Sequence, residues 1–218
     1  LVAVTRIHAP GNKTVVLFSG GNDFRTHQLG GEVTAGFPVS VDLIMFDYPG
    51  YGASTGKPTV QSLEQTAGIV YDHFIAGHGY DKRAVYGLSI GGFVASYVAA
   101  TRKPDMLILD ATLPNARQFA EGQIPWFAKP FVSIKIGPVL SRVNSVDLLK
   151  GFPGRVLMLV GTADTQVKPS LMRDMAKALR KEGVDVVHFL AIKGRGHGED
   201  LEAPKARKAI ADFLASQR

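Results

Sequence analysis

Apolar residues along this chain fall into short runs, separated by turn formers and by stretches in which apolar positions recur at helical spacing. The runs begin near Thr14, Val41, Arg83, Met106, Arg155 and Val184, and each has the length of a strand buried on both faces. The last, Val184 to Ile192, is interrupted at His188. Helices are expected after Thr59, Ile90, Pro169 and Glu199; behind Ile90, Phe93, Val94, Tyr97 and Val98 repeat at helical spacing until Pro104 forbids continuation. Strands alternating with helices predict an α/β fold whose parallel or mostly parallel sheet is covered on both faces. Val2 to Ala9 reads as one more strand, antiparallel at an edge. No repeat, low-complexity tract or long linker divides the 218 residues, of which 45% are hydrophobic, so residues 1–218 are expected to form one domain with a substantial core.

Between the run Arg83 to Leu88 and the helix behind it lies Gly87-Leu88-Ser89-Ile90-Gly91-Gly92. A serine at the tip of so tight a strand-to-helix turn is held at positive φ, and the residues two before and two after it must nearly touch. Gly87 and Gly91 occupy those two positions, and Gly92 lets the helix approach the sheet. The helix dipole and its first amides then face any anion that forms at Ser89. The string alone also suits a glycine-rich loop whose serine caps a helix; the strand before it and the helix after it favour a nucleophile elbow.

A serine hydroxyl is a weak nucleophile, so the elbow demands an acid and a base further along, in the order Ser, Asp or Glu, His. The strand Arg155 to Val160 ends in Gly161-Thr162-Ala163-Asp164, and the strand Val184 to Ile192 is followed by Gly194-Arg195-Gly196-His197-Gly198. Both loops leave the carboxyl ends of strands, where open parallel sheets carry their ligands. His197 is the expected base and Asp164 the expected acid. Asp110, at the end of the strand Met106 to Asp110, competes for the acid role, and Asp164 also suits the cap of the helix near Pro169. His8, His27, His73, His78 and His188 lack a glycine loop behind a strand.

Two backbone N–H groups are needed for the oxyanion of a tetrahedral intermediate. Ile90, next after the nucleophile, supplies one. Thr14 to Phe18 is followed by Ser19-Gly20-Gly21-Asn22-Asp23, which offers Asn22 as the other; no Gly-x-Gly-x-x-Gly register makes this a dinucleotide fingerprint.

With these pieces in order the chain resembles the α/β-hydrolase superfamily over nearly its whole length, and within it the small-lid serine hydrolases. Phe46-Asp47-Tyr48-Pro49-Gly50-Tyr51-Gly52-Ala53-Ser54, followed by Gly56-Lys57-Pro58, is similar to the Asp-x-x-Gly-x-Gly-x-Ser stretch of those enzymes. One departure touches the oxyanion loop: Gly20 stands where many relatives have His. The resemblance implies hydrolysis of an ester, thioester, amide or peptide without choosing among them, because one fold hosts many substrates.

Composition narrows this only slightly. The chain has no cysteine, which excludes disulfides and thiol chemistry and leaves the compartment open. Its formal charge of +6 lies wholly in the second half: residues 1–109 carry 8 basic and 8 acidic side chains, residues 110–218 carry 17 and 11. Lys177, Arg180, Lys181, Lys205, Arg207 and Lys208 read as a solvated helical surface; contact with an anionic membrane is not favoured, and no motif supports nucleic-acid binding. The first residue is Leu1 rather than Met, which suggests removal of an upstream signal or anchor. The sequence contains no run of 18 uninterrupted apolar residues, so the visible chain is not expected to span a membrane.

Residues 111–150 stand where relatives insert a lid. Ile124-Pro125-Trp126-Phe127-Ala128-Lys129-Pro130-Phe131-Val132 is either a short apolar cover whose Trp126 and Phe127 line an acyl pocket or touch lipid, or a set of aromatics packing a helix onto the sheet. About 40 residues suffice for one or two helices, so a small cap is expected. The chain thus reads as a serine hydrolase of short to medium carboxylic esters, with Ser89, Asp164 and His197 as triad and Asn22 and Ile90 as oxyanion donors. That mechanism needs no metal or organic cofactor, and the partner it needs is a small acyl substrate. A thioesterase or depalmitoylase, a peptidase, and a relative that binds ligand without turnover remain alternatives, and the sequence leaves the oligomeric state open.

Overall fold

The structure, a computed structural model, describes residues 1–124, 133–135, 137, 141 and 143–216. Its centre is a sheet of β1 (Val4–Ile7), β2 (Thr14–Ser19), β3 (Val41–Phe46), β4 (Lys82–Leu88), β5 (Met106–Asp110), β6 (Arg155–Gly161) and β7 (Asp185–Ile192). The strand order is β1-β3-β2-β4-β5-β6-β7. All neighbours are parallel except the edge strand β1, which runs antiparallel to β3. Around the sheet lie α1 (Thr26–Ala35), α2 (Val60–Phe74), α3 (Ile90–Arg102), α4 (Ala116–Gln123), α5 (Ser145–Leu149), α6 (Pro169–Lys181) and α7 (Pro204–Ala215).

The near-continuous apolar runs follow from burial on both faces. Val15 and Leu17 point into a core shared with Val70 of α2, Val94 of α3, Leu149 of α5 and Met172 of α6, while Val16 and Phe18 point the other way, toward Val33 of α1 and Phe213 of α7. At the far edge, Val156 pairs with Val186 but Leu157 with His188, so Val187 is one residue extra. The interruption at His188 is therefore a β-bulge, which re-aims the end of β7.

One helix was not expected. In α1 the adjacent Gly30 and Gly31 lower intrinsic helicity, and Arg25 at its start makes no side-chain cap. Its cap comes instead from far along the chain: the Thr26 amide donates to Asp47 Oδ1 at 2.8 Å. Gly30 faces the end of the Met45 side chain of β3, where an added Cβ would make only an ordinary contact.

Within residues 111–150 the described part contains α4 and α5. Asn115 and Asn144 each cap the helix that follows them, accepting from the Gln118 amide and from the Val146 and Asp147 amides, and they pair with each other across the base of the segment. Trp126 and Phe127 lie outside the described residues. No helix among the described residues is long and apolar enough to cross a membrane.

Candidate active site

β2 pairs with β3 on one side and β4 on the other. Chain order reverses at this point, and the crevice there is where open sheets of this kind bind ligands. The loops after β2 and β4 are the ones that carry Asn22 and Ser89.

Ser89 has φ 55° and ψ −118° and directly precedes α3. A Cβ on Gly87 would sit 2.5 Å from the Gly91 carbonyl oxygen, and one on Gly91 would sit 2.0 Å from that of Ser19. Neither space exists, so the turn closes only on glycine. The same packing presses the elbow against the end of β2, with Gly21 facing the Ser89 Cβ. Ile90 is the first residue of α3, so its N–H has no intrahelical acceptor. The Ser89 amide in turn donates to the carbonyl of Asp110 at 2.9 Å, which fixes the elbow to the end of β5.

The structure brings Ser89, His197 and Asp164 into one chain of hydrogen bonds. His197 Nε2 lies 2.9 Å from Ser89 Oγ, and Nδ1 lies 2.8 Å from Asp164 Oδ2. Asp164 Oδ1 accepts the amides of Gln166 and Val167, each at 2.8 Å. The carboxylate is therefore both a turn former ahead of α6 and the partner of the imidazole. Its acceptor role places the proton on Nδ1 and leaves Nε2 free to accept from the serine. Asp164 is buried, and the His197 side chain retains 16% exposure. Asp110 is not at the imidazole; the Tyr86 hydroxyl donates to its Oδ2.

The stretch from Asp47 to Ser54 braces the Asn22 loop, a role that spacing alone did not reveal. Asp47 caps α1 and accepts the Ala53 amide. Gly52, at φ 49°, bends the chain round that carboxylate, since a Cβ there would lie 2.0 Å from Asp47 Oδ2. Tyr48 donates its hydroxyl to the Gly20 carbonyl at 2.9 Å, and Tyr51 donates to Asn22 Oδ1 at 2.7 Å. Arg25 lies over the Tyr51 ring and donates to the Asn22 carbonyl. Gly20 itself has no room for a side chain: its Cβ would fall 2.2 Å from Phe24 Cγ. The Phe24 ring fills the space that a histidine in this position would need.

Beside Ser89 and His197 opens a cavity of about 320 Å³ floored by Phe24, Leu29, Val33, Leu88 and Leu201. Its described walls come from the loop after β2, from α1 and from the loop after β7, with Asp23, Glu32 and Glu202 at the rim.

Comparison with known proteins agrees with this architecture. The family model described as alpha/beta hydrolase fold matches residues 14–142. An uncharacterized protein of Mycobacterium tuberculosis (strain ATCC 25618 / H37Rv) is 24% identical over 180 residues, covering 81% of this chain and 60% of its own length. Alpha/beta hydrolase domain-containing protein 17B of Homo sapiens is 25% identical over 194 residues, covering 88% and 62%. The chain thus spans about three fifths of the length of these curated relatives. Among solved structures, Est1E from Butyrivibrio proteoclasticus with ferulic acid bound superimposes with a TM-score of 0.76 at 16% identity, over 98% of this chain and 94% of that one. By its matched sequence model and by its sheet order alike, the chain belongs to the alpha/beta hydrolase fold family.

Proposed function

We propose that this chain is a serine hydrolase that cleaves carboxylic esters of short to medium acyl length through an acyl-enzyme. The observation that carries the reading is the unbroken path from Asp164 through His197 to Ser89 Oγ, at 2.8 and 2.9 Å. Ser89 Oγ attacks the acyl carbon as its proton passes to His197 Nε2, and Asp164 stabilises the imidazolium that results. The amides of Ile90 and Asn22 hold the oxyanion, helped by the positive end of α3. Collapse of the intermediate expels the alcohol, which takes the proton from His197; water then attacks the acyl-enzyme with His197 again as base, and the acid leaves.

The apolar side of the cavity, formed by Phe24, Leu29, Val33, Leu88 and Leu201, supports an acyl substrate. Its volume of about 320 Å³ lies at the lower end of the roughly 300–1,000 Å³ typical of small-molecule pockets, which suits a short chain. Each buried methylene contributes about 0.8 kcal/mol, somewhat under fourfold in transition-state binding. The test is a fluorophosphonate probe followed by a panel of esters of graded acyl length, with thioesters and aminoacyl amides alongside. Covalent labelling at Ser89, with kcat/KM climbing over a few carbons and then levelling, is the expected result. Absence of labelling would favour a relative that binds without turnover. Rates that rise to long-chain substrates, or a preference for thioesters or amides, would replace the ester reading.

A further inference from the structure

Behind the Ser89–His197 pair lies a second cluster of ionisable groups that the reaction above does not use. Asp110, at the end of β5, is 1% exposed, and Asp200, three residues beyond His197, is 0% exposed. Their carboxyl groups are close neighbours that act on each other directly. The Tyr86 hydroxyl occupies Asp110 Oδ2, whereas Asp110 Oδ1 and both oxygens of Asp200 meet no donor among the described residues. Two ionised carboxylates in contact, both cut off from water, would repel strongly in a medium of low dielectric. A single proton between them turns that repulsion into a short, charge-assisted hydrogen bond and gives Asp110 Oδ1 and one Asp200 oxygen a partner each.

We propose that Asp110 and Asp200 share one proton, and that the resulting carboxyl–carboxylate bond is a positioning device that holds the loop carrying His197 against the strand end to which Ser89 is anchored. Since Tyr86 donates to Oδ2, the proton sits on Asp110 Oδ1 and points at Asp200. The groups facing the pair are Tyr86 from β4, Asp164 from the loop after β6, and Arg195 and His197 from the loop after β7. Burial, the charge of Asp200 and the nearby Asp164 hold the Asp110 carboxyl well above the usual carboxylate range. Burial also raises Asp200, while its interaction with Asp110 and, less strongly, the nearby His197 and Arg195 favour its charged form, so the shared proton is assigned to Asp110. The connection runs from the Ser89 amide to the Asp110 carbonyl by a backbone hydrogen bond, and from the Asp110 carboxyl to Asp200 by the shared proton. Loss of the proton at alkaline pH drives the two carboxylates apart, and the His197 loop moves with Asp200.

The positioning role rests on the serine-hydrolase reading; the shared proton does not, and the two are tested separately. Infrared spectroscopy of the intact protein at neutral pH should show a protonated-carboxyl C=O band that is absent in Asp110→Asn. No such band in the wild type, or the same band in the variant, overturns the shared proton whether or not the protein hydrolyses anything. Kinetics test the rest. Between about pH 6 and about pH 10, corrected for spontaneous hydrolysis, wild-type kcat/KM should fall roughly tenfold or more on the alkaline side, whereas the fall in Asp200→Asn should stay under about threefold, because an amide donates to Asp110 without titrating. A variant that retains the wild-type alkaline limb removes the positioning role. Should Asp200→Asn fail to fold, Asp110→Asn carries the same expectation. A wild type that neither reacts with fluorophosphonate nor turns over esters marks failure of the hydrolase reading and leaves the infrared result to decide the pair.

Discussion

Asp42 and Asp110 stand in the same sheet with 0% and 1% of their surface exposed, yet their surroundings make them opposite kinds of acid. Asp42 lies at the amino end of β3, and its two oxygens accept from His8 Nδ1 at 2.5 Å, Tyr80 OH at 2.6 Å, Asn12 Nδ2 at 2.9 Å and the Ala9 amide at 3.2 Å. Asp110 lies at the carboxyl end of β5 with one hydroxyl donor and a second acid for company. Burial pushes the Asp42 carboxyl upward, but the bonds from Tyr80, His8, Asn12 and Ala9 outweigh it and the value ends lowered. Burial pushes Asp110 the same way, and the neighbouring acid adds to it. Donor supply, rather than depth, decides which buried acid is charged. The division follows the two ends of the strands: the satisfied carboxylate ties down the edge strand β1, and the under-supplied one stands behind the candidate site.

The largest test of this division is at the carboxyl end. Ser89→Ala should lower kcat by roughly 10⁵ to 10⁶ with little change in melting temperature. Retention of a tenth of the wild-type rate would remove Ser89 from the mechanism. Asp164→Asn should cost about 10⁴ in kcat through loss of the productive imidazole tautomer. If Asp110→Asn at neutral pH proves more damaging than Asp164→Asn, the acid has been assigned to the wrong strand end.

The amino end should answer in stability instead. Asp42→Ala removes the acceptor of Tyr80, His8 and the Ala9 amide and one of the two acceptors of Asn12, at a cost of about 2–3 kcal/mol, or about 5–10 °C in melting temperature for a chain of this size. Turnover per folded molecule should not change, and a large loss of kcat there would break the comparison.

The subtlest expectation is a pair of opposite pH slopes in stability. Asp42 is lowered in the folded state, so its contribution is present above the usual carboxylate value and is lost as pH falls through the lowered one. Asp110 is raised, so its contribution is present below the usual value and is lost as pH rises through the raised one. Melting curves across the range should therefore lose their acid-side slope in Asp42→Asn and part of their alkaline-side slope in Asp110→Asn. Identical profiles for wild type and both variants would mean that neither carboxylate differs between folded and unfolded chains.

What could be read from the residues follows the range of the physics behind them. The elbow was legible because its strain is local, confined to Gly87 through Gly91. His197 and Asp164 were legible because each follows an apolar strand within a few residues. By contrast α1 depends on a cap supplied by Asp47, 21 residues further along the chain. Tyr51 and Asn22 meet across 29 residues, and Asp110 and Asp200 across the whole second half of the chain. Asp110 did stand out, as a carboxylate at the end of a buried strand. Its use as a partner for another acid needed the loop after β7 in place.

The separation of Ser89 and His197 by 108 residues also has a meaning in time. At roughly 5–20 residues per second, a ribosome delivers the serine about 5 to 20 s before the histidine it meets. Parallel strands pair only once the intervening crossover has been made, and β7 joins last at the edge of the sheet. For that interval the nascent chain carries the elbow without the histidine that meets it, so an incomplete copy lacks the Ser89–His197 hydrogen bond.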